Sequence, residues 1–209
     1  MIIMAHGDDK GLKLPPKLAP HQIVIVPIIP NEKDKDSVMK VVNQLNDSLS
    51  EFRVIVDDRS EVSPGFKFNE WEQKGVPLRV EVGPKDIEKN TILVSRRDDE
   101  SKNSYPMDDV QKTLKKLLNE IQDNLYKNSE NTLKNNTTHV ESFSELTEVL
   151  NSKKGFVSCF WKENKEDELK IKEETSATLR CYPLENTDSE KAVNSDSEDG
   201  NFAIFSKAY

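Results

Sequence analysis

From Gln22 to Ile29 the chain is apolar almost without interruption, and Val and Ile dominate the run. That pattern predicts a strand covered on both faces, at the centre of a sheet. Downstream, Val38, Val41, Val42, Leu45 and Leu49 recur at helical spacing within Lys35 to Leu49, and Arg53 to Val56 is a short apolar strand. The three segments read as one β-α-β unit. Pro64 suits a first helical turn, because the N–H it lacks is one of the donors left unpaired there. A helix is therefore expected from Gly65 to Gln73, stopped by Gly75 and Pro77. Leu78 to Val82 alternates as a strand, Thr91 to Ser95 follows as another, and a long helix is predicted over Met107 to Tyr126 from Val110, Leu114, Leu117, Leu118 and Ile121. The fold class is α/β: a mixed, mostly parallel sheet with helices on both faces.

After the Asn-rich stretch from Asn128 to Thr138 the pattern changes. A helix over Ser142 to Leu150, a strand over Phe156 to Phe160, a short helix over Asp167 to Glu174, and strands over Ala177 to Tyr182 and Phe202 to Phe205 describe a small α+β domain. Residues 186–200, NTDSEKAVNSDSEDG, are polar and without aromatics, so they are expected to be a disordered acidic loop. No internal repeat is visible. The resulting division is 1–20, 21–128 and 129–209.

Composition narrows the function. With 209 residues, 34% hydrophobic and 33% charged, the chain is expected to form small cores under an extensive polar surface. No apolar run approaches the roughly 20 residues that span a bilayer, and the first residues of this sequence show no basic segment followed by an apolar stretch and a cleavage site, so secretion is not expected. Two cysteines, Cys159 and Cys181, make no disulfide framework, so a cytoplasmic location without membrane contact is expected and the sequons at Asn46 and Asn136 carry no weight. A net charge of −8 argues against nonspecific binding to DNA or other polyanions, which relies on many Lys and Arg side chains.

The chemistry concentrates between Ser63 and Asp86, SPGFKFNEWEQKGVPLRVEVGPKD. Phe68 and Glu72 are four apart and share a helix face. Arg79, on the next strand, and Asp86, just past its end, are placed to converge on the open end of that face. Unstacked RNA bases lie on aromatic rings and offer their Watson–Crick edges to side chains. Guanine fits best: its N1–H and N2–H suit a carboxylate such as Glu72 or Asp86, and its O6 suits Arg or Lys. The competing reading is a core helix packed through Phe66, Phe68 and Trp71. Trp71 and Trp161 are expected as core anchors. Arg96 and Arg97 read as a solvated strand end paired with Asp98, Asp99 or Glu100. His6, His21 and His139 accompany no nucleophile motif, and there is no P-loop or G-x-G-x-x-G. A flavodoxin-like nucleotide site is disfavoured because the loops after the first two strands lack a glycine cradle. His6 with Asp8 and Asp9 is most simply a turn.

Four segments carry a family resemblance: LPPKLAPHQIVIVPI (Leu14 to Ile28), DDRSEVSPGFKFNEWEQKGVPLRVEVGPKD (Asp57 to Asp86), ILVSRRD (Ile92 to Asp98) and a C-terminal FAIFSKAY ending at Tyr209. Together they resemble the C-terminal part of prolyl-tRNA synthetase of the archaeal and eukaryotic type. The resemblance implies a class II anticodon-binding domain over 21–128, whose ligand is the pair of guanines in the proline anticodon. It also implies that residues 1–20 are a remnant of the catalytic domain. Phe68 would be the aromatic that meets the anticodon, Glu72, Arg79 and Asp86 the charged readers, and Lys102 the nearest candidate for a basic contact. The parent enzyme is a homodimeric proline–tRNA ligase that uses ATP and Mg in its catalytic domain. This chain, lacking that domain, is expected to be an inactive monomer that binds the proline tRNA. Family members often hold structural zinc through four cysteines, whereas here Cys159 alone sits at a plausible ligand position, so no metal is expected. In relatives the terminal Tyr reaches toward the catalytic domain, and Tyr209 is expected to be a frayed end here. A stand-alone interaction module reusing the same fold is the alternative.

Overall fold

The computed structural model describes residues 2–184, 186 and 188–207, so Tyr209 lies outside the described residues. Two compact units are present, Met1–Ser129 and Glu130–Tyr209. In the first, a short helix α1 (Ile2–His6) leads to strand β1 (Ile23–Pro27), helix α2 (Lys35–Ser48), strand β2 (Val54–Val56), helix α3 (Pro64–Gln73), strand β3 (Leu78–Val82), helix α4 (Pro84–Glu88), strands β4 (Thr91–Arg96) and β5 (Lys102–Pro106), and helix α5 (Val110–Asn135). The boundary between the units falls within α5, in the stretch expected to be an Asn-rich break.

The strand order is β2-β1-β3-β4-β5. Within this sheet parallel pairing is confined to β2–β1–β3, and β4 and β5 join antiparallel. The mixed α/β architecture is as expected, with β5 as an added edge strand. Its sequence, KNSYP, has no apolar alternation to reveal it, because the edge position leaves most of its side chains exposed.

The pleat sorts the side chains. Ile23, Ile25, Leu78, Val80, Val82, Ile92 and Val94 pack against α2 (Val38, Val42, Leu45) and α5 (Val110, Leu114, Leu117, Leu118, Ile121, Leu125). On the opposite face, Val24 and Val26 of β1 meet Trp71 of α3 and Val76, with Phe68 packed beside them. β3 therefore turns Leu78, Val80 and Val82 to the main core and Arg79 and Glu81 to the α3 face.

The second unit is a sheet of order β6-β7-β10-β8, from β6 (Thr137–His139), β7 (Phe156–Trp161), β8 (Ala177–Cys181) and β10 (Asp199–Lys207), with β9 (Ser189–Lys191) paired to β10. Helices α6 (Phe143–Ser152) and α7 (Lys165–Thr175) cover a core centred on Trp161, Phe205, Leu146 and Ile171. The acidic segment is not the disordered loop expected. β9 pairs with Asp199–Asn201, Ala192 is buried, and the Asn194 side chain bonds the backbone N–H and C=O of Lys162, both at 2.9 Å. Backbone pairing and one amide order this segment, and the absence of aromatics did not bear on either.

α3 ends in a left-handed glycine stop: Gly75, at φ +73°, donates to Glu72, and Val76 donates to Trp71. The N-terminal segment packs on this stop, with Leu14 N–H bonding Gly75 C=O at 3.1 Å. A Cβ at Gly75 would stand 2.6 Å from Leu12 Cβ and 2.7 Å from its carbonyl carbon. Gly75→Ala is expected to destabilise the first unit by about 2 kcal/mol, from φ and clash together. Urea unfolding of the variant checks this.

Candidate nucleic-acid interface

The site begins with the placement of α3. Ser63 caps the helix by accepting from Phe66 N–H, and Pro64 occupies its first position. Asp57, at the C-terminal end of β2, then fixes the helix to the sheet. Its Oδ2 accepts from Trp71 Nε1 at 2.8 Å, and its backbone carbonyl accepts from the buried Lys67 Nζ at 2.9 Å. Arg59 binds both carboxylate oxygens, at 2.8 and 2.7 Å, and continues to Glu70 of α3 at 2.6 Å. Arg59 foremost, with Trp71 and Lys67, holds the Asp57 carboxyl down at about 2 against the cost of its burial.

Held this way, α3 presents Phe68 and Glu72 beside the Arg79 and Glu81 face of β3. The Arg79 guanidinium lies over the Phe68 ring, 4.2 Å from its centroid, and Lys102 Nζ, at the start of β5, lies 5.6 Å from the same centroid. Glu81 joins the two cations, bonding Arg79 Nε at 3.2 Å and Lys102 Nζ at 2.9 Å. Glu72, Arg79 and Lys102 line one cavity of about 240 Å³ with Lys10, Ser95 and Glu100. Lys10 Nζ approaches Glu72 at 3.8 Å and is also bonded to Glu100, and Glu100 foremost raises the Lys10 pKa.

Four of the five residues singled out from sequence thus come near one another: Arg79 and Lys102 stand over the Phe68 ring, and Glu72 lines a cavity with both cations. Asp86 does not join them. It lies in α4, beyond the far end of β3, where its Oδ2 accepts from Gly83 N–H at 3.0 Å. The first turn of that helix offers an unpaired N–H, which claims one oxygen and leaves the carboxylate with further acceptor capacity. Glu81 was missed, although its spacing from Arg79 puts both on one face of the strand. Arg97 is also not a solvated strand end. It is buried, bonded to Asp8 and to Glu72 C=O, while Arg96 pairs with Asp98, Asp99 and Glu120. Arg97 foremost holds Asp8 well below the usual carboxylate range, so the turn from Gly7 to Gly11 ties residues 89 apart.

Comparison with known proteins places this geometry. The anticodon-binding-domain family matches residues 22–117, and the prolyl-tRNA synthetase C-terminal family matches residues 143–209. The chain belongs to the prolyl-tRNA synthetase family. It is 42% identical over 213 residues to a proline–tRNA ligase of Roseiflexus sp. (strain RS-1), covering 100% of this chain and 44% of that protein. A proline–tRNA ligase of Natranaerobius thermophilus is 44% identical over 185 residues, covering 88% of this chain and 38% of the relative. The crystal structure of the Cryptosporidium parvum prolyl-tRNA synthetase, complexed with L-proline and AMP, superposes with a TM-score of 0.90 at 37% identity, over 99% of this chain and 45% of that one. The chain therefore spans less than half the length of these prolyl-tRNA synthetases, and the Phe68 cluster lies in its anticodon-binding domain.

The family's four-thiolate zinc site does not fit the donors present. Cys159 faces the core of the second unit, where burial pushes its thiol up to about 12, and Cys181 is exposed. Among the described residues no three His, Cys, Asp or Glu side chains are grouped to hold a metal, and no helix is long and apolar enough to cross a membrane.

Because the Asp57 carboxyl is lowered from 3.8 to about 2, the stability it supplies is complete above its unfolded value and is lost as pH falls through its folded one. About 2 kcal/mol of first-unit stability is expected to disappear between about pH 4 and pH 2 through this group. Asp57→Asn is expected to make that acid-side slope shallower and to speed hydrogen exchange of the α3 amides at neutral pH. Urea unfolding across the pH range, with exchange at pH 7, checks both.

Proposed function

We propose that this chain is the part of a proline–tRNA ligase that reads the anticodon of the proline tRNA. The observation that carries the reading is the gathering of Arg79 and Lys102 at the Phe68 ring, with Glu72 in the cavity that both cations line, within residues matched to the anticodon-binding family. The chemistry is that of guanine. The Glu72 carboxylate accepts from N1–H and N2–H, Arg79 donates to O6, the Phe68 ring supplies the stacking surface, and Lys102 meets the base or its phosphate. Asp86, at the other end of β3, supplies a second acceptor for the neighbouring guanine while its Oδ2 keeps the Gly83 cap.

In the whole enzyme, on this proposal, the region beyond this chain attaches proline to its tRNA with ATP and Mg. The whole protein is a cytoplasmic homodimer, and this chain alone is a monomer that binds tRNA without catalysing. Binding at the anticodon has no reacting groups to serve.

The test is a titration at one fixed, moderate salt concentration with a proline tRNA transcript and with a copy whose two anticodon guanines are changed. Tighter binding to the intact transcript is expected. Glu72→Ala is expected to weaken that binding roughly tenfold or more while leaving the altered transcript nearly unaffected, as loss of a base contact does. Asp86→Ala is expected to reduce discrimination at one of the two guanines only. Equal binding of both transcripts by the unmodified chain overturns the reading and favours the interaction module.

A further inference from the structure

We infer that Glu81, a residue that need not touch RNA, is the positioning residue that makes Arg79 and Lys102 into one guanine-reading surface; this rests on the anticodon reading above. Arg79 pairs across the sheet with Ser95, and Ser95 with Lys102, so the two cations start two strands apart. Adjacent strands lie about 4.8 Å apart, which separates their backbones by roughly 10 Å. Both cationic groups nevertheless stand within 5.6 Å of the Phe68 centroid.

Two like charges so placed repel unless an anion lies between them. The Glu81 side chain, 6% exposed, is that anion, giving one oxygen to each cation. It also chooses which edge of Arg79 is used. The bond to Glu81 takes Nε, and among the described residues the two terminal amino groups of Arg79 have no protein partner. That leaves the terminal fork to donate to guanine O6, with the guanidinium carbon held 4.2 Å from the Phe68 centroid. Without Glu81 the same arginine is free to turn and Lys102 to leave the ring, so the donors persist but lose their fixed direction.

Glu81→Gln keeps the size and one acceptor but removes the charge. Roughly tenfold weaker binding of the intact proline transcript is expected, with the guanine-altered transcript within about twofold of its original affinity, since a lost base contact costs discrimination while a lost phosphate contact costs all sequences alike. Glu81→Asp keeps the charge on a shorter arm, and partial recovery of discrimination is expected. Unchanged discrimination in Glu81→Gln, or equal weakening of both transcripts, overturns the inference.

A second readout needs no RNA and so separates this inference from the anticodon reading. In the RNA-free chain the Arg79 Nε–H should give a slowly exchanging NMR signal, identified by its loss in Arg79→Lys. That signal should be lost in Glu81→Gln and displaced in Glu81→Asp. Should Glu81→Gln fail to fold, the Glu81→Asp spectrum and titration decide alone. A signal indifferent to the carboxylate refutes the clamp whatever the RNA does.

Discussion

The carboxylate of Asp57 is the constraint on which the first unit's functional surface depends. It is buried at the end of the edge strand β2, and a buried charge is tolerated only when paired and hydrogen-bonded. Trp71, Lys67 and Arg59 satisfy it together, and Trp71 and Lys67 both belong to α3. Its buried residues are those same two and its apolar partners are a few valines of β1 and the following turn, while Arg97 and Leu12 bond carbonyls at its C-terminal end. A polar anchor is directional where a small apolar patch is not. It therefore sets the rotation of α3 about its axis and, with it, the position of Phe68 and Glu72.

The two faces of the sheet divide the work. One face is sealed by α2 and α5 with aliphatic side chains throughout. The other is covered by α3 over β1, and beyond that helix β3 and β5 carry Arg79, Glu81 and Lys102. Charged residues in the middle of a sheet are costly when desolvated, and here the cost is limited by mutual pairing and by the Phe68 ring beneath the cations. The Gly75 stop and the Asp8–Arg97 pair bring the N-terminal segment to the rim of the same cavity, where Lys10 meets Glu72 and Glu100.

Much of this was legible. The apolar run of β1, the helical spacing of α2 and α5 and the Pro64 start of α3 are local patterns, so they predict local structure. Phe68 and Glu72 share a face by helical spacing, and Arg79 follows on an alternating strand. Glu81 was missed because its significance depends on Lys102, two strands away, which no spacing within the segment encodes, and β5 because its exposed edge carries no apolar alternation. Asp86 was expected just past the end of that strand and converging with the others. It does lie just past the end, but there its carboxylate caps α4 on the Gly83 N–H. Arg97 was read as solvated because its partner, Asp8, lies almost ninety residues back along the chain.

By itself, then, the sequence determined the strands and helices that carry an apolar period, which residue types gather near the Phe68 helix, and the family to which those words belong. Hydrophobic periodicity and local capping act over a few residues, so a linear reading captures them. Only the tertiary structure decided which charges meet. The Asp57 anchor, the Glu81 bridge and the ordering of the acidic segment by β10 all depend on contacts between residues distant along the chain or on different elements. Such contacts are selected by the packing of the whole unit, in which each buried charge and each unpaired backbone group must find its partner.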